Sequence, residues 1–425
     1  MTPDRKNAPA IIRARIPDLT NPELLVLDNG VPLYTIRSAN SQIARIDFIF
    51  RAGQAFEQNP LESSTVNMML NEGTYSLTAS QINEKLDFFG AVPGFFSEKD
   101  DAGLSVAFLS RYSDEILDLC VEMLFKPSFP PEEFESLMNK RLQWFDLRQE
   151  RVQSLANDRF FEALFGRDHP YGRITRREDF KNLSAERLTQ FHKSCYNHSG
   201  MVLIAAGNLT DQLISSVNST LGKARETSLT RYTKQPLSRE IPGNSFKIRK
   251  KDAVQSAIRI GSRTINKRNA DYPALKITDT VLGGYFGSRL MKNIREKKGY
   301  TYGIHSSVVS LELAGYFLIS TEVGTKYTTR ALKEIYSEIK KLQEEPLTEE
   351  ELGIVKNYMS GELVRMFDGP FASADTFRSV WEFDLDFNYY MNMAEKINSI
   401  TTDEIIHIAR TYFKKEDLVE IVAGP

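Results

Sequence analysis

A chain of 425 residues is too long for one ordinary hydrophobic core, and a prior of roughly 150 residues per domain points to two or three domains. With 54 Lys and Arg against 56 Asp and Glu, the net charge of -2 provides no field that would hold nucleic acid or an anionic membrane surface. No apolar run reaches the roughly 18 residues of a membrane span, and residues 1–13 are charged rather than signal-like, so the expected compartment is the cytoplasm, or the periplasm if a leader has been removed.

Residues 1–21 are polar and proline-bearing and read as a loose arm. Residues 24–27, Asp28-Asn29-Gly30 and residues 31–36 then read as strand, tight turn and strand, because Asn-Gly supplies the positive φ of a two-residue hairpin. Residues 43–50 form a third strand, closed by Arg51-Ala52-Gly53. A helix over 59–72 stops at Gly73, a second ends at Gly90, and residues 103–109 return to a strand. Helical spacing resumes over 112–125, breaks at the prolines of 127–131, and continues through Phe134, Met138, Leu142 and Phe145 in a helix expected to reach Phe165. Asp168-His-Pro-Tyr-Gly172 is a turn. Cys120 and Cys195 read as buried thiols rather than a disulfide or a metal site.

Residues 183–207 (LSAERLTQFHKSCYNHSGMVLIAAG) and 400–424 (ITTDEIIHIARTYFKKEDLVEIVAG) superimpose without a gap. Leu188 meets Ile405, Tyr196 meets Phe413 and Ala206-Gly207 meets Ala423-Gly424, each copy being a helix followed by a buried strand. Glu132-Glu133-Phe134 and Glu350-Glu351-Leu352 repeat at the same separation to within one residue, which means duplicated domains. The expected division is an arm 1–21, a first domain 22–222, a charged linker 223–244 carrying Pro236 and Pro242, and a second domain 245–425.

In the second copy, Leu290, Met291 and Ile294 stand at helical spacing, Gly299 stops the helix, and residues 300–308 alternate as a strand. Arg295 therefore lies in the last helical turn and Tyr302 on the strand; the bland alternative is a structural Arg and a half-buried strand Tyr. Lys292, Lys297 and Lys298 read as a solvated face. Leu282-Gly-Gly-Tyr-Phe-Gly287 lacks the Gly-Lys-Ser/Thr of a phosphate loop and reads as a flexible loop or a helix start. The five histidines, His169, His192, His198, His305 and His407, include no pair three or four apart on a helix, and Ser194 and Ser63-Ser64 lack a glycine elbow.

Taken in order, Leu27-Asp-Asn-Gly30, Arg51-Ala-Gly53, Met69-Leu-Asn-Glu-Gly-Thr74, the Phe165 to Gly172 segment, Leu282-Gly-Gly284, Ser288-Arg-Leu290, Ile294-Arg-Glu-Lys297 and Tyr302 resemble the inverzincin metallopeptidases of the pitrilysin and insulinase type, which include mitochondrial processing peptidase. The resemblance implies an α+β fold of two homologous domains, each an antiparallel sheet covered by helices on one face, the halves facing each other across a substrate chamber. Such enzymes bind zinc through His-x-x-Glu-His and a glutamate about 75 residues on, the motif Glu acting as general base.

The five motif positions here fall on Ser64-Thr-Val-Asn-Met68, and the downstream position on Gln143-Trp-Phe145, with Asp146 a near miss. Ser64, Asn67 and Met68 are expected to share a helix face, but a hydroxyl, a carboxamide and a thioether make a poor zinc site. The resemblance thus implies no zinc or other cofactor in this chain, with zinc expected in a partner. Arg295 would hold an extended peptide and Tyr302 would donate to the oxyanion, both acting in trans, with Gly283 and Gly284 also touching substrate. The expected function is the non-catalytic subunit of a peptide-hydrolysing complex, paired with a related zinc-bearing subunit in a heterodimer, or a homodimer. The alternatives are a scaffold or assembly protein of this fold, or a module that binds extended peptides without hydrolysis.

Overall fold

The computed structural model describes residues 19–223, Leu237 and 245–425; apart from residues 19–21, Lys223 and Leu237, the arm and the linker read from the sequence lie outside the described residues. In the first half the chain runs β1 (Glu23–Val26), β2 (Pro32–Arg37), β3 (Ile43–Phe50), α1 (Glu62–Met69), α2 (Ala79–Phe89), β4 (Val92–Ser97), β5 (Ala102–Leu109) and α3 (Ser113–Phe125). It continues through α4 (Pro131–Gln149), α5 (Val152–Phe165), α6 (Arg177–Asn182), α7 (Ala185–Cys195), β6 (Met201–Gly207) and α8 (Asp211–Leu221). The second half holds β7 (Ser245–Arg249), β8 (Gln255–Thr264), α9 (Tyr272–Asp279), β9 (Thr301–Ser310), β10 (Gly315–Gly324) and α10 (Thr328–Glu344). It closes with α11 (Glu349–Arg365), α12 (Gly369–Trp381), α13 (Asn388–Ser399), α14 (Thr402–Tyr412) and β11 (Val419–Gly424).

The first sheet has the order β1-β2-β6-β3-β5-β4 and the second β7-β11-β8-β10-β9, so once β1 is set aside the two share one topology. Pairing is antiparallel except for one parallel pair in each sheet, β2 with β6 and β7 with β11. The repeated sequence stretches are the equivalent α7–β6 and α14–β11 units. Their strands are central and buried on both faces, which is why they read as continuous apolar runs rather than alternating ones.

The long helix expected to reach Phe165 is two helices, because Arg151 between them is extended (φ -96°, ψ 122°). The break has an architectural consequence: α5 leaves its own half and packs on β8 and β11 of the other sheet. Phe160 is fully buried there, Phe161 meets Tyr316 edge-on at 5.3 Å, and Asn157 accepts a hydrogen bond from Arg259 at 2.6 Å. Its counterpart α12 reciprocates on β2 and β6, where Phe377 packs on Tyr34 at 4.8 Å and Asp375 pairs with Arg45 at 2.6 Å. Each buried ring contributes about 2–3 kcal/mol.

The halves therefore meet through shared apolar cores, not across a chamber. Ala257, Val419, Ile421 and Ala423 belong to the first core, and Ile49, Ile204 and Ala206 to the second. A sheet exposes two faces, and here each half lends a helix to the other's second face. Strand β4 escaped the sequence reading because Pro93-Gly94 interrupts its pattern, as an edge strand tolerates.

Candidate functional site

The residues from Ser288 onward are anchored by an apolar face and by two polar ties. Leu290 and Ile294 are fully buried; Arg289 donates to both carboxylate oxygens of Glu351 at 2.8 and 2.9 Å, and Asn293 donates to Glu334 and Glu338 at 2.9 and 2.7 Å. The turn over Met291–Lys297 is wider than an α-helix: Lys298 N–H donates to the Asn293 carbonyl five residues back, and Tyr300 N–H to the Ile294 carbonyl six back. Gly299, at φ 62°, closes the turn in the left-handed conformation expected of a helix stop.

Strand β9 then carries a β-bulge. Thr301 faces Val323 and Ile304 faces Thr321, so Tyr302 and Gly303 together oppose the single residue Glu322. Threonine hydroxyls brace it: Thr301 Oγ1 accepts from Gly303 N–H at 3.1 Å, and Thr321 Oγ1 donates to the Gly303 carbonyl at 2.9 Å. The extra residue turns Tyr302 out of the row occupied by buried Ile304, Ser306 and Val308, leaving it 92% exposed. Tyr302 is thus not the half-buried strand residue of the bland reading.

Arg295 lies between two exposed rings, 4.5 Å from the centroid of Phe286 and 5.4 Å from that of Tyr302. Each contact is worth about 0.5–1 kcal/mol at such exposure and holds the guanidinium while its N–H groups remain available. Among the described residues Arg295 has no carboxylate partner, whereas Arg289, six residues earlier, is fully paired. Phe286, 63% exposed, is a neighbour of Arg295 that the sequence reading passed over inside its glycine-rich loop. Of the two loop glycines expected to touch substrate, only Gly284 is exposed. Gly283 is buried against β9, where a Cβ would lie 2.5 Å from Ser306 Oγ, so packing rather than ligand contact demands glycine there.

In the first half, Ser64, Asn67 and Met68 do not converge. Ser64 Oγ accepts from Arg141 Nη2 at 2.8 Å, and the other guanidinium nitrogen of Arg141 bonds to Thr65 Oγ1. Asn67 is buried and donates to the Gly103 carbonyl at 2.8 Å and the Tyr196 hydroxyl at 3.2 Å, while Met68 is turned outward and 38% exposed. From α4, Arg141 reaches the Ser64 hydroxyl, Phe145 supplies only an apolar wall to the cavity beside it, and Asp146 is tied to Arg177. These residues do not fit zinc: the donors are neutral and diverge, and a guanidinium stands where a divalent cation would need carboxylate or imidazole.

Beside Ser64 lies a cavity of about 250 Å³ whose charged lining includes Glu57, Lys99, Arg148, Asp158 and Arg173. Burial, with the negative Glu62 close by, pushes the Glu57 carboxyl up to about 8, although Ser63 N–H donates to it at 2.9 Å. Burial lowers Lys99 and brings Arg141 down to about 10. The histidines considered for a metal have core roles: burial lowers His192 to about 4, its Nε2 bonds to the Leu124 carbonyl at 2.8 Å, and His198 stacks on Phe125. No described helix is long and apolar enough to cross a membrane.

Residues 182–359 match the family model described as the peptidase M16 inactive domain. A Bacillus subtilis protein named uncharacterized zinc protease YmxG is 24% identical over 304 residues, covering 70% of this chain and 72% of its own. A Helicobacter pylori protein named non-peptidase homolog YmxG is 24% identical over 388 residues, covering 88% and 87%. The crystal structure of a peptidase M16 inactive domain from Pseudomonas fluorescens superimposes with a TM-score of 0.86 at 22% identity, over 96% of this chain and 98% of that one. That likeness bears out the α+β fold.

Proposed function

We propose that this chain, a peptidase-like protein of the M16 family, is the metal-free subunit of a divided peptidase and acts on extended peptides together with a related subunit that carries the zinc. The observation that carries the reading is the stack of Phe286, Arg295 and Tyr302: a cation without a carboxylate partner, held by two exposed rings on a braced bulge. The bulge sets the Tyr302 ring almost wholly in solvent beside a guanidinium with no carboxylate partner among the described residues, so both polar groups are available to a ligand.

In this reading the Arg295 guanidinium donates charge-assisted hydrogen bonds to carbonyls of the bound strand. The Tyr302 hydroxyl donates to the oxygen that gains charge as the partner's water attacks, a contribution of about 3 kcal/mol for one such donor. Gly284, exposed at the loop, lets backbone approach. The metal, the water and the general base belong to the partner, because the Ser64 face of this chain is taken by Arg141.

The test is co-purification with the zinc-bearing chain, followed by peptide turnover by the reconstituted complex. Tyr302→Phe is expected to lower kcat about 100-fold with KM little changed. Arg295→Ala is expected to raise KM, and Phe286→Ala to raise it several-fold by freeing the guanidinium. Unchanged turnover in all three variants would refute the reading and favour a scaffold role.

A further inference from the structure

We propose that the cavity beside Ser64 is a subsite for the carboxylate of an acidic peptide. Two cations in its lining, Lys99 from the β4–β5 turn and Arg173 from the segment after Gly172, come from separate elements, and a third, Arg141 from α4, bonds to the Ser64 hydroxyl on its wall. Among the described residues none of the three has a carboxylate at ion-pairing distance; each meets only neutral groups. Lys99 Nζ donates to the Tyr171 carbonyl at 3.2 Å and lies 5.4 Å from the centroid of the Phe161 ring. Arg141 donates to the hydroxyls of Ser64 and Thr65. Arg173 makes two long contacts, 3.5 and 3.4 Å, to the carbonyls of Glu57 and Gln58.

The acids nearby do not neutralise this charge. Asp158 is paired with Arg148, Asp100 accepts from the Tyr171 hydroxyl and the Glu312 N–H, Glu62 is engaged by the backbone N–H groups of Gln58 and Asn59, and Glu57 accepts from Ser63 N–H while burial raises its carboxyl. Partly buried cations without counter-ions are costly, and a carboxylate that displaces water from them gains charge-assisted bonds. The rest of the lining selects among anions. Leu61, Phe145 and Phe161 supply apolar walls suited to the methylenes of an acidic side chain, which a bare inorganic anion would leave uncovered. The volume, about 250 Å³, admits a side chain and not a folded partner.

The proposal rests on the chain handling peptides, but it needs neither the sister subunit nor Arg295. The full chain is titrated by calorimetry with the amidated peptides Ala-Ala-Glu-Ala-Ala and Ala-Ala-Gln-Ala-Ala, and with penta-alanine bearing either a free or an amidated terminus. The Glu peptide is expected to bind about tenfold more tightly than its Gln counterpart. A gain for the free terminus would identify the chain end as a second source of the same group. Lys99→Met and Arg173→Gln should each abolish the preference, while Arg295→Ala keeps it. If Lys99→Met lowers the melting temperature, Arg173→Gln, with only long contacts to lose, decides the matter. Equal binding of the Glu and Gln peptides, with no gain from a free terminus, would overturn the subsite and leave peptide handling intact; binding of neither would overturn both.

Discussion

Glu57→Gln tests the electrostatics of the Ser64 cavity without any ligand. The Glu57 carboxyl accepts from Ser63 N–H and faces Glu62, Lys99, Arg141 and Arg173, yet burial outweighs the cations and lifts it from 4.5 to about 8. An acid raised in the folded state keeps its proton after the unfolded chain has lost it. Stability is therefore unaffected below about pH 4.5, falls as pH rises towards 8, and levels off above. At 1.36 kcal/mol per pH unit the interval sets a ceiling of about 5 kcal/mol, and partial exposure with solvent screening reduces this to about 2–3. Glutamine keeps an oxygen for Ser63 N–H and carries no charge, so the variant escapes the penalty. Urea unfolding followed by the fluorescence of Trp144 and Trp381 should show variant and parent equal at pH 4.5, with the variant ahead by about 2–3 kcal/mol at pH 9. A gain of the same size at both pH values, or none at pH 9, would refute the assignment of burial as the dominant cause.

Two further outcomes follow from packing and ligand chemistry. Gly283→Ala should cost about 2–4 kcal/mol in the same unfolding assay, since the new Cβ meets Ser306 Oγ at 2.5 Å and Ser306 N at 2.6 Å. Gly284→Ala, with 3.3 Å to Thr280 Oγ1, should cost less than about 1 kcal/mol; equal costs would mean that the loop rearranges. Restoring histidines by Ser64→His and Met68→His is expected to produce no zinc-dependent rise in Tm while Arg141 remains. Stoichiometric zinc in that double variant, measured by metal analysis after dialysis, would show that the guanidinium is no obstacle.

Much of the fold was legible because it rests on local signals. Asn29-Gly30 places the first hairpin, Gly90 and Gly299 stop their helices at positive φ, and the gapless repeat announces one topology used twice. The degenerate motif at Ser64-Thr-Val-Asn-Met68 and the choice of Arg295 with Tyr302 came from the family resemblance, which the order of short motifs carries. What those signals could not carry depends on residues distant in sequence. The exchange of α5 and α12 between sheets follows from which uncovered face each helix meets, so two halves expected to stand apart share their cores. The bulge that expels Tyr302 arises from register against β10, and strict alternation, which knows only one strand, places that side chain with Ile304. Phe286 meets Arg295 only because the glycine-rich loop folds back onto the turn that carries it. Arg141 lies 77 residues from Ser64, and its occupation of the Ser64 face is likewise tertiary. Residue order thus determined the repeat, the local stops and turns and the candidate residues, while long-range packing decided which of them meet and placed Arg141 on the Ser64 face.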